Sequence, residues 1–180
     1  MRTTLNQIRA HSPCRAGWEK LLRSLGKTAA DDEPLWLDTV LDHNGIDDAL
    51  WCLRAVENFD REIRLYAVWC ARRVWHLMSD PRSVAALDVA ERYARREASD
   101  VELSAAAEAA EAAAASAASA ETMWAAEAAR WAAARWAAAR WAAAAAEASA
   151  ASAVAGSDTE RAAQAEELRR VCREMREAKP

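Results

Sequence analysis

The sequence predicts an all-α fold, a multi-helix bundle with long Ala-rich helices in the C-terminal half. Three observations predict this class. Apolar side chains recur at helical spacing between start and stop signals, no run of alternating β-branched residues or hairpin signal occurs, and Ala dominates the C-terminal half. A chain of 180 residues can bury a core without disulfides or metals. We therefore expect one structural domain.

Four helices are predicted before residue 80, each from an apolar stripe at helical spacing. Ser12-Pro13 supplies a cap and a first-turn proline for the first helix, and Gly26 ends it. Asp32-Glu33-Pro34 opens the second helix, Asn44-Gly45 separates it from the third, and Asp60 caps the fourth. The expected core stripes are Trp18, Leu21, Leu22 and Leu25; Leu37, Val40 and Leu41; Ile46, Ala49, Leu50 and Leu53; and Ile63, Tyr66, Ala67, Cys70, Val74 and Leu77.

The fourth helix is apolar on most of its sides, which is typical of a central helix. Opposite its core stripe it carries a second stripe of Trp69, Arg72, Arg73 and His76. We therefore expect both Trp69 and Trp75 to lie in the core.

Two further helices begin at clear capping signals. Asp80 precedes a proline, Pro81, which favours a cap followed by the first helical position. Ser99 and Glu102 have the spacing of a capping box, in which each side chain bonds the backbone of the other residue.

From about residue 100 to residue 154 no residue stops a helix. One helix of that length would run about 80 Å, whereas a compact domain of this size has a radius of gyration of about 16 Å. We therefore expect a break near Ser116 to Thr122, with two Ala-rich helices packed back to back; the alternative is one long projecting helix. Residues 156–158 then restart a last helix with the stripe Leu168, Val171, Cys172 and Met175. The expected segments are a helical core (1–99), an Ala/Trp/Arg-rich helical segment packed on or projecting from it (100–155), and a C-terminal helix (156–180).

The Ala-rich segment contains a tandem repeat, RWAAARWAAARW, from Arg130 to Trp141. Five residues advance a helix by about 140° beyond a full turn, so successive Trp residues point in different directions. One interpretation is structural: Ala permits close approach of neighbouring helices and each Trp fills a different gap. The other is a protruding ladder that binds a partner, since Trp and Arg are enriched at binding hot spots. Its candidate residues are Arg130, Trp131, Arg135, Trp136, Arg140 and Trp141.

Charge is distributed unevenly along the chain. Residues 1–30 carry a net charge of +5, residues 31–60 carry −8, and the whole chain carries −4. That balance gives no general attraction to nucleic acid or to an anionic membrane. The acidic block suits a basic partner surface, and its candidate binding residues are Asp31, Asp32, Glu33, Asp47 and Asp48. The alternative is that these are solvated carboxylates at helix starts, where negative charge is favourable.

No arrangement of residues points to catalysis. The sequence has no phosphate-binding glycine loop, no HExxH and no paired CxxC. A metal site at Asp42-His43 with Asp47-Asp48 is less favoured than a helix–turn–helix, because Asn44-Gly45 lies between the pairs. We expect no enzyme activity, no cofactor and no metal. We also expect reduced thiols and a cytoplasmic protein, since the N-terminus has no apolar run of secretory length.

Four motifs in the first hundred residues resemble a family of immunity proteins that accompany bacterial polymorphic toxins and also occur in phage genomes. They are HSPC-x3-W (His11 to Trp18), LGKT-x2-DDEPL (Leu25 to Leu35), NGIDDALWCLRA (Asn44 to Ala55) and RLYAVWCARRVWHLM (Arg64 to Met78). The Ala/Trp/Arg-rich tail is also similar to members of that family.

The resemblance implies a protein that binds and neutralises a toxin stoichiometrically, without catalytic residues. The expected partner is a protein, not nucleic acid or a membrane, and a homodimer through the Ala-rich helices stays open. One alternative is an inhibitor of a host defence protein encoded by a phage or mobile element. A second is a structural helical adaptor or oligomer.

Overall fold

The computed structural model describes residues 1–133 and 157–177 of the chain. The all-α prediction is confirmed, because these residues form nine α-helices and only one sheet of two short strands. The chain divides into two compact units: the N-terminal unit (Met1–Phe59 with Ala165–Pro180) and the central unit (Asp60–Gln164). That they fold as the single predicted domain stays a prediction, as do the segment boundaries at residues 99 and 155.

The N-terminal unit is built from short helices around an apolar core. Its elements are β1 (Arg2–Thr3), α1 (Leu5–Ala10), α2 (Arg15–Ser24), β2 (Leu35–Trp36), α3 (Leu37–Asn44) and α4 (Ile46–Cys52), followed by a 3₁₀ turn at Leu53–Ala55. The strands pair antiparallel, with Arg2 opposite Trp36 and Thr3 opposite Leu35. Each predicted stripe contributes to the core, whose buried members here include Leu21, Leu37, Val40, Leu41, Ala49, Leu50 and Leu53.

The predicted starts of two helices in this unit are wrong. Ser12 does not cap α2, because it has a left-handed φ of 56° and its N–H bonds to Arg9 at the end of α1, a helix that we did not predict. The cap of α2 is Cys14, whose sulfur accepts from the Gly17 N–H at 3.3 Å. The predicted start of the next helix at Pro34 is also wrong, since pairing with β1 keeps β2 extended and α3 begins only after it.

The last helix, α9 (Ser157–Glu177), contributes its C-terminal turns to the N-terminal unit. Arg169 donates to Asp42 at 2.8 Å, and Arg176 donates to Asp38 at 2.8 Å. The Arg176 guanidinium also lies 4.2 Å from the Trp36 ring centre. The predicted stripe is confirmed by the burial of Leu168, Val171 and Cys172, while Met175 is half-buried.

The central unit consists mainly of four longer helices. They are α5 (Asp60–Arg72), α6 (Pro81–Ala94), α7 (Asp100–Ala115) and α8 (Ala120–Ala132), with a 3₁₀ turn at Trp75–Leu77. Two of the three caps predicted in this unit are confirmed: the Asp80 side chain accepts from the backbone N–H of Arg82, and Ser99 and Glu102 form both halves of a capping box. The third, Asp60, does not precede the helix as predicted but is the first residue of α5. α5 packs against α6 and α8, and α6 packs against α7.

The predicted break in the Ala-rich segment is confirmed. Helix α7 ends before Ser116, and α8 begins after Ser119, which forms a second capping box with Thr122. The alternative of one uninterrupted helix from Asp100 is therefore wrong. The two helices pack against each other through small side chains, and their buried members are Ala110, Ala113, Ala114, Ala125, Ala126, Ala128, Ala129 and Ala132.

The expectation that both Trp69 and Trp75 lie in the core is wrong for Trp75, which is 60 % exposed. Helix α5 ends at Arg72, and the chain tightens into i→i+3 hydrogen bonds, including Val74 N–H to Ala71 and Leu77 N–H to Val74. Because a 3₁₀ turn has three residues per turn, it moves the following side chains off the α-helical face. Trp69 is half-buried and stacks on Tyr66 with ring centres 6.5 Å apart.

An ion pair in the central unit joins an exposed cation to a buried anion. Arg73 Nε donates to the two carboxylate oxygens of Glu160 at 2.6 and 2.8 Å, and Gln164 donates to the same carboxylate at 3.1 Å. The Glu160 side chain is 8 % exposed, whereas that of Arg73 is 39 % exposed. Loss of the arginine therefore leaves a buried carboxylate without its cation. Loss of the carboxylate leaves a cation that water can reach.

We expect Arg73→Ala to lower the free energy of unfolding by about 2 kcal/mol, less than for a fully buried pair because Arg73 is partly solvated. Glu160→Gln is expected to cost less, since it removes the charge and keeps a side-chain oxygen as acceptor. Urea unfolding of the two variants checks this asymmetry. A larger loss for Glu160→Gln would contradict it.

Candidate functional site

A groove on the central unit is bordered by Trp75, the most exposed aromatic side chain among the described residues. We call it the Trp75 surface: Arg72, Trp75, Val84, Leu87 and Asp88, around a space of about 340 Å³. The end of α5 and the 3₁₀ turn supply its first two residues, and α6 supplies the others. Leu87 and Asp88 share one turn of α6, which places an apolar and an acidic side chain beside the indole.

The Trp75 surface combines an apolar floor with a charged rim. Leu87 is only 2 % exposed and Val84 is half-buried, whereas the indole of Trp75 is 60 % exposed. On the rim, Arg72 Nη2 lies 3.0 Å from Asp88 Oδ1, and the same nitrogen contacts Glu91. These two carboxylates hold the Arg72 side chain in place. An exposed indole beside an apolar groove and an ordered arginine can bury a side chain of another protein.

A second feature, in the N-terminal unit, is a small cavity of about 60 Å³ between α2, α3 and α4. We call it the α2–α4 cavity. Its lining residues come mainly from two of the four sequence motifs, HSPC-x3-W and NGIDDALWC, which are about thirty residues apart in sequence. They include Cys14, Gly17, Trp18, Asn44, Asp48 and Trp51.

The polar wall of the α2–α4 cavity is formed by Asn44 and Asp48. The Asn44 amide nitrogen donates to the Gly17 carbonyl at 2.9 Å and to Asp48 Oδ2 at 2.7 Å. Its Oδ1 is buried and has no hydrogen-bond donor within the described ranges. A Cβ at Gly17 would lie only 2.9 Å from Asp48 Oδ2 and 3.1 Å from Oδ1. A side chain at position 17 would therefore require the Asp48 carboxylate to shift from its place against α2.

Cys14, at the edge of this cavity, is the only exposed cysteine of the four. Burial raises the pKa of Cys52 to about 12 and that of Cys172 to about 11, and Cys70 is fully buried. A thiol reacts as its thiolate, so raised pKa values and burial both lower the reactivity of the other three cysteines.

We expect one thiol per chain to react with a disulfide reagent in the native protein at about pH 8. All four are expected to react in denaturant, because unfolding removes the burial. The measurement is the absorbance of the released reagent, with Cys14→Ser as the control that should abolish the native signal. A native count of two or more would contradict the assigned burial.

The five acidic residues predicted to bind a partner lie on two separate elements. Asp31, Asp32 and Glu33 lie in the loop before β2, so they are not at a helix start. Lys27 Nζ bonds Asp31 at 2.5 Å and Glu33 at 2.7 Å, and its hydrogen bond lowers the pKa of Asp31.

The other two acidic residues, Asp47 and Asp48, lie in the first turn of α4, as predicted. Asp47 is exposed, whereas Asp48 is half-buried and lines the α2–α4 cavity. A partner-binding role for all five acidic residues stays a prediction.

Of the six candidate binding residues in the Trp/Arg repeat, Arg130 and Trp131 lie within the described residues, whereas Arg135, Trp136, Arg140 and Trp141 lie outside them. Both described side chains are half-buried, and Arg130 pairs with Glu127 at 2.7 Å while lying 4.0 Å from the ring centre of Trp131. The buried Arg64 donates to the Ala132 carbonyl at 3.0 Å, which places a cation at the C-terminus of α8. Close Ala packing agrees with the structural interpretation as far as residue 133, and the binding role stays a prediction.

Within the described ranges, no cluster of three or more His, Cys, Asp or Glu side chains could hold a metal ion. Asp42 is instead paired with Arg169, and Asp48 with Asn44. Within the same ranges, no helix has both the length and the apolarity of a membrane span.

Sequence reasoning missed both the Trp75 surface and the α2–α4 cavity. The signal for the first was present as a Trp followed closely by Ser-Asp-Pro, a helix-ending sequence. The second depends on packing between motifs that are distant in sequence.

Comparison of the chain with protein families, with curated proteins and with solved structures found no match.

Proposed function

We propose that this chain is an immunity protein that binds a protein toxin stoichiometrically and neutralises it. The observation that carries the proposal is the Trp75 surface, where an indole that is 60 % exposed borders an apolar groove. Trp and Arg are the residue types most enriched among those that dominate protein–protein binding, and Arg72 lies on the same rim. The resemblance of residues 11–78 to immunity proteins supports the same role, and Trp75 lies within its last motif.

The Trp75 surface has the energy to anchor a complex. A Trp side chain buries about 150–250 Å² when fully covered, so a partner that covers the exposed part removes on the order of 100 Å² from water. At about 25 cal/mol per Å² this contributes about 2.5 kcal/mol, before any packing in the groove. In this proposal a partner inserts an apolar side chain into the groove over Leu87. The ion pair of Arg72 with Asp88 lies at the rim, beside the inserted side chain.

Neutralisation in this proposal requires only occupancy of the toxin. The chain acts without catalysis, metal or cofactor, in the cytoplasm of the cell that produces the toxin. One chain is occupied by each toxin molecule, so the degree of protection depends on the affinity for the toxin and on the amount of the immunity protein.

The first test places a photo-crosslinking amino acid at the Trp75 surface in the cell. Ala85 is a suitable position because it is exposed and adjoins Val84 on α6 without lining the groove. Val101, which is 77 % exposed on α7, is the matched control position. We expect a protein to crosslink to position 85 and not to position 101, and to arrest growth when it is produced alone.

The other outcomes separate the alternatives. A crosslinked host defence protein that does not arrest growth would favour the phage- or mobile-element-encoded inhibitor. A crosslink to a second copy of the chain would favour a structural oligomer. Equal crosslinking at positions 85 and 101 would contradict the Trp75 surface as the binding site.

A further inference from the structure

We propose that a network of side chains between α5 and α9 fixes the turn that follows α5 and so keeps the Trp75 indole exposed to a partner. We call this network the α5–α9 clamp; its members are Tyr66, Trp69, Arg73, Glu160 and Gln164. All of them belong to the central unit, and none lines the Trp75 surface. The inference rests on the proposed function only for what binds the indole. The exposure of the indole can be measured without any partner.

Arg73 is the centre of the α5–α9 clamp. Its Nε donates to both carboxylate oxygens of Glu160, at 2.6 and 2.8 Å, and its guanidinium carbon lies 5.1 Å from the centre of the Trp69 ring. The Gln164 amide nitrogen donates to the same carboxylate at 3.1 Å. Tyr66 stacks on Trp69 and donates its hydroxyl to the Gln164 carbonyl at 3.3 Å. The Arg73 side chain is therefore bound both to α9 and to the preceding turn of α5.

The clamp lies where the α-helical hydrogen bonds of α5 end. The Arg73 N–H is shared between the carbonyls four and three residues before it, both at 3.3 Å, so the α-helical and 3₁₀ patterns meet at this residue. The Val74 N–H then bonds the carbonyl three residues before it at 3.2 Å, and the Val74 side chain is fully buried. Two anchored residues, one bound to α9 and one in the core, therefore precede Trp75 and direct its indole outward.

An α-helical continuation of α5 would place the indole elsewhere. Positions i, i+4 and i+7 share one face of a helix, so residue 75 would lie above Ala71 and Val68, which are both buried. There the indole would lie over the core face of α5, and removal of its apolar surface from water would favour that position. The exposed position therefore depends on contacts that fix the end of α5, and the clamp lies at that end.

The ion pair of the clamp restricts the backbone of Arg73. The Glu160 side chain is only 8 % exposed, so its charge depends on a close cation. It accepts from Nε, the guanidinium nitrogen nearest the backbone, so the pair has a short reach. A shift of the Arg73 backbone toward a regular helix would lengthen these hydrogen bonds. The ion pair therefore favours the 3₁₀ turn over a continued helix.

The test measures the exposure of the Trp75 indole in the free, full-length protein. The chain is labelled with 5-fluorotryptophan, and Trp75→Phe assigns the ¹⁹F signal of that residue. Fluorine in contact with water changes its chemical shift between H₂O and D₂O, so this isotope shift reports exposure. Because the side chain is 60 % exposed, we expect more than half of the isotope shift of free 5-fluorotryptophan.

Arg73→Gln removes the cation of the clamp, and Arg61→Gln is its matched control. Arg61 is also exposed on α5 and pairs with Glu62 at 3.1 Å, but it lies about three turns, or about 18 Å, before Arg73. We expect Arg73→Gln to lower the isotope shift of Trp75 about threefold, as chains with a covered indole become the majority. Arg61→Gln is expected to leave the isotope shift unchanged. Arg73→Lys keeps a cation that can reach Glu160 and is expected to restore most of it.

The same variants connect the exposure of the indole to binding. A partner that binds only chains with an exposed indole loses apparent affinity in proportion to the fraction of such chains. The Kd of the partner captured at position 85 should therefore rise by the factor by which the isotope shift falls, about threefold for Arg73→Gln. A role of the ion pair in stability alone would change neither quantity in the folded protein.

Three results would overturn the inference: an unchanged Trp75 isotope shift in folded Arg73→Gln, an equal loss from Arg61→Gln, or an equal loss from Arg73→Lys. Circular dichroism shows whether each variant is folded. If Arg73→Gln does not fold, Glu160→Gln takes its place, and an unchanged isotope shift in that variant overturns the inference.

The outcomes for the clamp and for the proposed function are separate. Because the isotope shift needs no partner, its failure removes the clamp and leaves the Trp75 surface as the proposed binding site. Equal crosslinking at positions 85 and 101 would contradict that binding site and leave the clamp intact.

Discussion

Replacing Ala110 with Leu is expected to lower the free energy of unfolding of the central unit by about 2–3 kcal/mol, the upper part of the range for overpacking. Ala110 is fully buried on α7, a helix that packs against both α6 and α8. The small alanine side chain permits the close approach of these helices, and a leucine adds three carbon atoms where no space exists. Either the helices separate or the side chain adopts a strained rotamer, and both cost free energy.

The matched control is Ala112→Leu on the same helix, where the alanine is exposed. Alanine and leucine have similar helix propensities, so the control is expected to change stability by less than about 0.5 kcal/mol. Urea unfolding followed by circular dichroism measures both. Equal stabilities of the two variants would contradict the close packing of α7 against its neighbours.

Replacing Trp75 with Ala is expected to weaken binding of the captured toxin by about 100-fold, the effect of losing a hot-spot residue. The indole is already 60 % exposed in the free protein, so its removal should leave the fold almost unchanged. The loss should appear mainly as faster dissociation, as in most interface variants. Surface plasmon resonance with the purified partner measures this.

Trp124→Ala is the control for a general loss of aromatic surface. Trp124 is 38 % exposed on α8 and does not line the Trp75 surface. We expect its removal to change the affinity less than threefold, as for residues outside a hot spot. Equal losses from the two substitutions would show that binding does not depend on the Trp75 surface.

The parts of the fold that could be predicted from sequence are those determined by local chemistry. The caps at Asp80 and Ser99 act over two or three residues, so their positions could be read directly. The break between α7 and α8 was predictable for a related reason, since Ser and Thr compete with a helix by bonding nearby backbone groups. The core stripes followed from the spacing of apolar residues.

The parts that could not be predicted depend on contacts between distant residues. Strand β2 is extended because β1, more than thirty residues earlier, pairs with it, and this moved the start of α3. Two carboxylates of the acidic block, Asp42 and Asp38, pair with Arg169 and Arg176 of α9. No local pattern contains either contact.

The candidate sites could be predicted only in part. The motif that contains Trp75 was identified, but its helical periodicity placed the indole in the core. The early end of α5 at Arg72 reversed that assignment. The α2–α4 cavity forms where two motifs distant in sequence pack together. The role of Gly17 depends on its contact with Asp48, a residue of another helix.

The central claim is that the chain neutralises a toxin by binding it through the Trp75 surface. The most direct measurement is the growth of cells that produce the captured partner together with the wild-type chain, Trp75→Ala or Trp124→Ala at equal protein levels. We predict growth with the wild type and with Trp124→Ala, and growth arrest with Trp75→Ala. Equal protection by Trp75→Ala and the wild type, or no protection by the wild type, would contradict the claim.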